Sequence, residues 1–447
     1  MSEKQGSLFG TDGVRGRFGD FPFTEDGLRR LGRAVASCIG DVSVLAAMDT
    51  RFSGPEILGR LREGMGRSLR LNCAGVLPTP GLSYLMVHGA WQYGIMITAS
   101  HNPAEDNGIK LFNSQGEKIP DELEERISQM FWQESAQEPV ASGPGTAETD
   151  AGSAPYIDFL VKQARMLDLR GITLLVDTAN GAMSAVAPAV LKETGARIIV
   201  RANSPDGRNI NRECGSQYPE RLLAAARAEG AQWGIAFDGD GDRVLVVDGQ
   251  GGEIFDGDDI LYLLARYRHS RDASFRRIVV GTVMSNLGLE TSLRSIGIEL
   301  VRTHVGDRHV YQEMKRIDAE LGGEPSGHVI IRSMQRSGDG LLTALHFFRA
   351  LCGLELTAAE IHRHMRRFPQ RLQNIRVTRK PELKQWPELL ALEEEFQRET
   401  GDKQARLLVR YSGTEPKIRL MVEAENDHIV DAWIDRLHSF IMNTIGE

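Results

Sequence analysis

Short apolar runs alternate along this chain with segments in which apolar residues recur every three or four positions. Residues 42–47, 94–98, 172–177, 197–200, 234–237 and 278–283 read as buried strands, each a compact apolar run next to turn-forming residues. Residues 24–39, 55–71, 188–194, 219–228 and 339–351 carry helical spacing. Strand followed by helix, repeated, predicts α/β units with largely parallel sheets.

Two changes of texture interrupt this rhythm. Residues 134–155 are rich in Ala, Gly, Ser, Pro and acid with almost no large apolar side chain, the composition of a surface linker between a first and a second domain. Near Phe368 and Pro369 the pattern shifts again. Beyond it, strands over 372–378, 406–411 and 417–424 mix with helices over 387–400 and 427–443, which predicts a small α+β domain. A chain of 447 residues accommodates roughly two to four domains, and no short repeat is visible.

Composition narrows the function classes. With 41% hydrophobic and 26% charged residues, the chain can bury a sizeable core. A net charge of −8 argues against a nucleic-acid partner, yet an anionic substrate needs only local positive charge. No apolar run reaches membrane-spanning length, and the first residues, Met-Ser-Glu-Lys-Gln-Gly, lack a secretory leader pattern. The expectation is a cytoplasmic protein with no membrane partner. Cys38, Cys73, Cys214 and Cys352 are far apart and read as reduced, packed thiols.

Five clusters look chemical. Asp238-Gly239-Asp240-Gly241-Asp242-Arg243 follows a strand-like run. Carboxylates at alternate positions, separated by glycines, can converge on one hard cation, and Mg²⁺ suits such oxygen donors. A polar turn is the bland alternative. An EF-hand loop is excluded because Arg243 and Gly249 stand where Gly and Glu are needed, and Asp242 stands where a haloacid-dehalogenase-type phosphatase has Thr or Val. Thr98-Ala99-Ser100-His101-Asn102-Pro103 also follows a strand and presents Ser100 at its end. Its flanks are not those of a hydrolase nucleophile elbow, and a local turn is its plain alternative.

Arg410-Tyr411-Ser412-Gly413-Thr414-Glu415-Pro416-Lys417-Ile418-Arg419 sits between two strand-like runs. Its backbone N–H groups and arginines suit a phosphate, although an exposed polar turn has the same composition. Gly323-Glu324-Pro325-Ser326-Gly327-His328 offers groups that suit sugar hydroxyls and a histidine able to shuttle protons. A β-turn with incidental polar residues is the competing reading there. Phe9-Gly10-Thr11-Asp12-Gly13-Val14-Arg15-Gly16 frames an arginine with glycines. No phosphate-cradling kinase loop occurs anywhere in the chain. Two separate anion sites, one metal-centred and one metal-free, point to a mutase. A phosphatase needs only the first; a mutase also has to hold the phosphate that is not moving.

These motifs, in this order from Phe9 to Glu423, resemble those of the α-D-phosphohexomutases, and the resemblance covers essentially the whole chain. It implies an α/β architecture of four domains around a central cleft, three related α/β domains plus a C-terminal α+β domain. The divisions expected are 1–155 with the phosphoserine, 156–256 with the metal loop, 257–368 with the sugar-binding loop and 369–447 with the phosphate clamp. It also implies a small sugar-phosphate partner and a Mg²⁺ cofactor, and it leaves a homodimer open. Carried over residue by residue, Ser100 is the phosphoserine and, with Asp238, Asp240 and Asp242, a metal ligand. Arg15, His101, Lys110 and Arg243 surround the transferring phosphate, and Lys110 and His328 are the candidates for proton transfer. Glu324 and Ser326 grip the sugar, while Arg410, Ser412, Gly413, Thr414 and Arg419 hold the distal phosphate.

Residues 9–16, 107–110 and 338–342 are similar to the glucosamine branch of that family, which implies interconversion of glucosamine 6-phosphate and glucosamine 1-phosphate in amino-sugar nucleotide and cell-wall synthesis. The enzyme alternative is a phosphomannomutase/phosphoglucomutase, and a non-catalytic sugar-phosphate sensor on the same fold is the alternative from another class. A sensor would be expected to have lost Ser100 or an aspartate, and all are present. Thr98, His304, Tyr411 and Pro325 depart from the branch's usual residues; none removes a catalytic group, so they bear on substrate preference rather than mechanism.

Overall fold

The computed structural model describes residues 8–10, 12–66, 69–133, 152–401, 405–412 and 416–447. Most of the expected 134–155 linker, up to residue 151, lies outside them, as do Thr11, Gly413 and Thr414. The chain divides into two units. One comprises Met1–Met284 with Val301–Ile361, the other Ser285–Leu300 with His362–Glu447.

In the first unit, strands β1 (Val14–Arg17), β2 (Ser43–Met48), β3 (Arg70–Val76), β4 (Tyr93–Ile97) and β5 (Asp106–Asn113) form a sheet of order β1-β5-β4-β2-β3. Helices α1 (Glu25–Ile39), α2 (Gly54–Met65), α3 (Thr79–His88) and α4 (Asp121–Gln133) accompany it. Thr24 caps α1 by accepting from the Gly27 amide, which is why the helix begins where the pattern predicts. The expected helix over 55–71 instead stops at Met65, because Gly66 takes a left-handed φ of 66° and turns the chain toward β3.

A second sheet repeats the plan. It contains β6 (Thr173–Asp177), β7 (Arg197–Arg201), β8 (Trp233–Phe237), β9 (Val244–Asp248) and β10 (Ile254–Phe255) in the order β10-β9-β8-β6-β7. Its helices are α5 (Ala154–Ala164), α6 (Met183–Leu191) and α7 (Pro219–Ala228). Pro188 lies inside α6 rather than opening a helix as its sequence position suggests; the helix starts five residues earlier, at Met183. Helix α8 (Gly257–Arg271) then leads to a third sheet, of β11 (Ile278–Thr282), β12 (Glu299–Thr303), β13 (Leu321–Gly323) and β14 (Val329–Ile331), ordered β12-β11-β13-β14. Helix α9 (Leu287–Ser295) belongs to the other unit, and α10 (Asp307–Ile317) and α11 (Gly340–Leu354) to this one.

The sheets are mixed rather than largely parallel. β2 pairs in parallel with β3 and β4, and β6 with β7 and β8. β5 and β9, however, return antiparallel to β4 and β8. The reason is connection length. Ser100 lies in the short loop between β4 and β5, and Asp238–Asp242 in the tighter turn between β8 and β9; neither can hold the crossover a parallel neighbour requires. Both candidate motifs therefore sit at the carboxyl ends of central strands, where open α/β sheets bind ligands.

In the second unit, β15 (Gln370–Arg376), β16 (Ala405–Tyr411) and β17 (Lys417–Ala424) form an antiparallel sheet of order β15-β17-β16. Helices α13 (Pro387–Thr400) and α14 (Asp427–Ile445) complete that unit, while α12 (Ala358–His364) crosses the division at Ile361. Ile418, Leu420 and Val422 of β17 pack with Leu437 and Ile441 of α14 in a buried core. Glu423 is buried, yet it is held by Arg406 at 2.7 Å and accepts from the Leu287 amide at 2.8 Å. Among the described residues no single helix is long and apolar enough to cross a membrane.

Candidate active site

Ser100 stands just past β4, buried, in a left-handed conformation with φ 51°, a state a non-glycine residue holds only when its surroundings impose it. Its amide donates to Thr98 Oγ1 at 2.9 Å, and Thr98 Oγ1 in turn donates to Asp49 Oδ2 at 2.6 Å. The Ser100 hydroxyl donates to Asp238 Oδ2 at 2.7 Å and lies 3.3 Å from His101 Nδ1. The serine and metal motifs, separated by more than a hundred residues in sequence, thus meet side chain to side chain.

Asp238, Asp240 and Asp242 offer carboxylate oxygens that all lie within 4.8 Å of one another, and all three residues are buried. Asp240 Oδ1 and Asp242 Oδ1 are buried with no hydrogen-bond partner. Burial, then the charges of Asp242 and Asp240, push the Asp238 carboxyl well above its usual range. Packed carboxylates with orphaned oxygens form a donor set that a hard divalent cation would satisfy. The residues present therefore fit Mg²⁺.

Cations surround this cluster. Lys110, on β5, is buried, and its Nζ lies 3.1 Å from Asp240, 3.2 Å from Asp12 and 3.8 Å from Asp242. Burial alone would depress its pKa, but Asp12, Asp240 and Asp242 together raise it above the ordinary lysine value. As folded, Lys110 is a held cation. Arg15 on β1 lies opposite Gly108 of β5 and donates to the Thr98 carbonyl at 3.2 Å. A Cβ at Gly108 would meet that arginine at 2.9 Å, so the glycine makes room for the guanidinium. The Arg243 amide donates to Asp238 Oδ1 at 3.2 Å, and its guanidinium lies 3.7 Å from Asp242. Burial, with smaller contributions from Arg243, Arg15 and Lys110, lowers the His101 pKa to about 4, against a partial pull upward by Asp240.

The Glu324 motif forms the turn of the β13–β14 hairpin: the Gly327 amide donates to the Glu324 carbonyl at 3.1 Å, and Gly327 has φ 90°. The β-turn reading of this motif is thus met in its backbone. Its far limb docks on the start of β9, where the Val244 amide donates to the Gly327 carbonyl at 3.1 Å and His328 bridges Arg243. Glu324 Oε1 accepts from the Gly306 amide at 2.8 Å, and Ser326 Oγ is buried without a partner. His328 Nε2 accepts from the Gly338 amide at 3.1 Å, which puts the proton of the neutral ring on Nδ1, a buried atom with no partner. Glu324, Ser326 and His328 thus gather beside Arg243.

In the other unit, Arg410 and Arg419 face each other directly across the β16–β17 pair. Like charges at such a position repel, and burial together with Arg419 lowers the Arg410 pKa. Ser412 is buried beside them in sequence, its amide donating to the Lys417 carbonyl at 2.8 Å. An anion relieves this repulsion, so the pair suits a phosphate.

Several contributors lie outside the residues that the motifs assign. Asp12, inside the N-terminal motif beside the arginine it frames, pairs Lys110, Lys118 and Arg15. Thr79, at the start of α3, donates to Asp240 Oδ2 at 2.6 Å. Asp49 and Arg51 follow β2, and their only signal is a polar pair at the carboxyl end of a buried strand. Asn211 has no local signal; it reaches Ser100 from the second sheet's domain.

The chain matches family profiles described as phosphoglucomutase/phosphomannomutase, alpha/beta/alpha domains I, II and III, over residues 6–138, 154–252 and 256–368, and the C-terminal domain over 372–438. A phosphoglucosamine mutase of Halorhodospira halophila is 42% identical, covering 98% of this chain and 96% of that protein. A phosphoglucosamine mutase of Cronobacter sakazakii is 41% identical, covering 96% and 97%. Among solved structures, a phosphoglucomutase/phosphomannomutase family protein from Burkholderia thailandensis superposes with TM-score 0.80 at 24% identity, covering 99% of each chain. Aspergillus fumigatus N-acetylphosphoglucosamine mutase, solved with GlcNAc-6P and magnesium, superposes with TM-score 0.68 at 18% identity, covering 97% of this chain and 95% of that one.

Proposed function

The chain belongs to the phosphoglucomutase/phosphomannomutase family, and from that premise we propose that it interconverts glucosamine 6-phosphate and glucosamine 1-phosphate in the cytoplasm, as an intramolecular phosphotransferase of the isomerase class. The observation that carries the chemistry is the Ser100 hydroxyl at 2.7 Å from a carboxylate of the buried aspartate cluster. Full-length similarity of about 40% to phosphoglucosamine mutases supports the amino sugar. The four divisions proposed are 1–155, 156–256, 257–368 and 369–447.

In this reading Ser100 carries a phosphoryl group. A hydroxyl of the bound hexose monophosphate attacks phosphorus, the new O–P bond forms as the Ser100 Oγ–P bond breaks, and the hydroxyl's proton ends on a site base while Oγ is left as the acceptor. The resulting bisphosphate turns over, and its other phosphoryl group returns to Oγ. Asp238, Asp240, Asp242 and Ser100 would hold Mg²⁺, which supplies charge neutralisation to the transferring group. Arg15, Lys110, His101 and Arg243 hold that phosphate by charge and hydrogen bonds, and Glu324 and Ser326 take the ring hydroxyls in either orientation. For proton transfer the candidates are His328 and Lys110, the latter entering as a proton-bearing cation. Arg410, Ser412, Gly413, Thr414 and Arg419 retain the phosphate that is not transferred.

The decisive experiment assays glucosamine 6-phosphate, glucose 1-phosphate and mannose 1-phosphate side by side, with mass spectrometry of Ser100 and the Ser100→Ala variant. Phosphate on Ser100, preference for the amino sugar and loss of steady turnover in Ser100→Ala are expected. Undiminished turnover in Ser100→Ala, or phosphate located elsewhere, sinks the mechanism. A preference for mannose or glucose phosphates sinks the substrate assignment.

A further inference from the structure

The loop that presents Ser100 is held from behind by groups that touch neither its hydroxyl nor the metal cluster. Arg51 is buried, 2% exposed. Its Nε is paired with Asp49 Oδ2 at 3.0 Å, and both side chains are shut away from water. Its remaining nitrogens reach three carbonyls of the loop: Nη2 donates to Ser100 at 3.2 Å and to Asn102 at 2.8 Å, and Nη1 donates to Pro103. From the second sheet's domain, Asn211 Nδ2 donates to the same Ser100 carbonyl at 2.8 Å and the same Asn102 carbonyl at 3.0 Å. Arg51 follows β2 of the first sheet, whereas Asn211 follows β7 of the second.

A planar guanidinium has donors in a fixed fork, which a lysine cannot reproduce. Two donors converging on one carbonyl fix the peptide plane after Ser100, and that plane sets the left-handed backbone from which Oγ reaches Asp238. We propose that Arg51, oriented by Asp49, and Asn211 form a two-sided clamp of positioning residues that fixes the Ser100 carbonyl, and thereby the line of phosphoryl transfer to and from Oγ. The inference rests on Ser100 being the phosphoryl carrier. Because the clamp contacts the loop carbonyls and no sugar-binding group, its loss acts on the transfer step and leaves hexose-phosphate binding intact. Misplacement of a reacting group on the ångström scale slows such a step by up to about a hundredfold.

The test uses Arg51→Lys, which keeps the charge opposite Asp49 but loses the fork, and Asn211→Gly. The glycine removes the amide while tolerating the φ of 58° that Asn211 adopts. Steady-state kinetics with glucosamine 6-phosphate and Mg²⁺ are measured beside deuterium exchange of the peptide spanning residues 98–108. The expected result is kcat lowered by about ten- to a hundredfold with KM unchanged, and faster exchange in that peptide alone. If Arg51→Lys does not fold, Asn211→Gly decides by itself. Variants that keep wild-type kcat, or that lose activity only through KM, overturn the clamp while the mutase reading stands. A wild-type chain with no hexose-phosphate turnover overturns the mutase reading, and the clamp's role falls with it.

Discussion

Gly239→Ala tests how tightly the serine loop and the metal loop are fitted together. An added Cβ would stand 2.6 Å from the Ser100 carbonyl oxygen, 2.8 Å from Asn211 Nδ2 and 2.8 Å from Ile210 Cδ1. Ordinary contact begins at 3.4 Å, so the loops must part by about 3.4 − 2.6 = 0.8 Å. The nearest neighbour is a backbone oxygen to which the Asn211 amide is already bonded, so movement of the Ile210 side-chain end alone does not relieve the clash. The separation falls directly on the 2.7 Å contact between Ser100 Oγ and Asp238. A displacement of this size is expected to lower kcat by about ten- to a hundredfold, or roughly 1.4–2.8 kcal/mol of barrier. Overpacking adds a stability loss of about 1–3 kcal/mol. The assay is steady-state turnover of glucosamine 6-phosphate at saturating Mg²⁺, with urea unfolding in parallel. Gly59→Ala serves as control: nothing lies within 4 Å of that Cβ and the residue is helical, so activity holds and stability rises by up to about 1 kcal/mol. A folded Gly239→Ala enzyme with kcat within about twofold of wild type refutes the argument, because that would be under about 0.5 kcal/mol of barrier.

Asp339 caps α11 and accepts from Tyr156, Gln335 and the Leu342 amide, yet burial raises its pKa to about 6. The folded state then binds a proton that the unfolded state has released, so this group's contribution to stability is fully present below about pH 3.8 and is lost as pH rises through about 6, a change of about 3 kcal/mol. The difference in unfolding free energy between wild type and Asp339→Asn should therefore shift by a few kcal/mol over that window; parallel curves would contradict it. Chelation should stop turnover and Mg²⁺ restore it, and Asp240→Asn should weaken Mg²⁺ binding in a titration; full activity in excess chelator would rule out the aspartate site. Arg419→Ala should lower sugar-phosphate turnover by about one to two orders of magnitude, the scale of roughly 1.5–3 kcal/mol for a charge-assisted phosphate contact. Mg²⁺ binding should stay as in wild type and free bisphosphate should accumulate; wild-type turnover would reduce Arg410 and Arg419 to a surface pair.

Local periodicity and local chemistry are legible in the sequence wherever the signals agree. The run at 234–237 reads as a buried strand because it is apolar, and the aspartates after it read as a cation site because glycines separate them. The helix over 219–228 matches α7 because Pro219 starts it and its apolar spacing is helical. Where local signals conflict, the sequence misleads: Pro188 looks like a helix start and is an interior residue, and Gly66 ends α2 before the apolar pattern fades. Only the tertiary structure decided that β5 and β9 run antiparallel, since strand direction depends on how short loops return and leaves no periodic trace. It alone brought Thr79 onto the aspartate cluster and Asn211 onto the Ser100 loop, across separations of 161 and 111 residues, and set Asp12 beside the cluster on Lys110. Such contacts are made by single polar side chains, and for Thr79 and Asn211 the neighbouring sequence carries no chemical pattern. Their meaning comes from burial, because an Arg51 or Asn211 withdrawn from water has to find carbonyls to bond, and which carbonyls those are is settled by how the sheets pack.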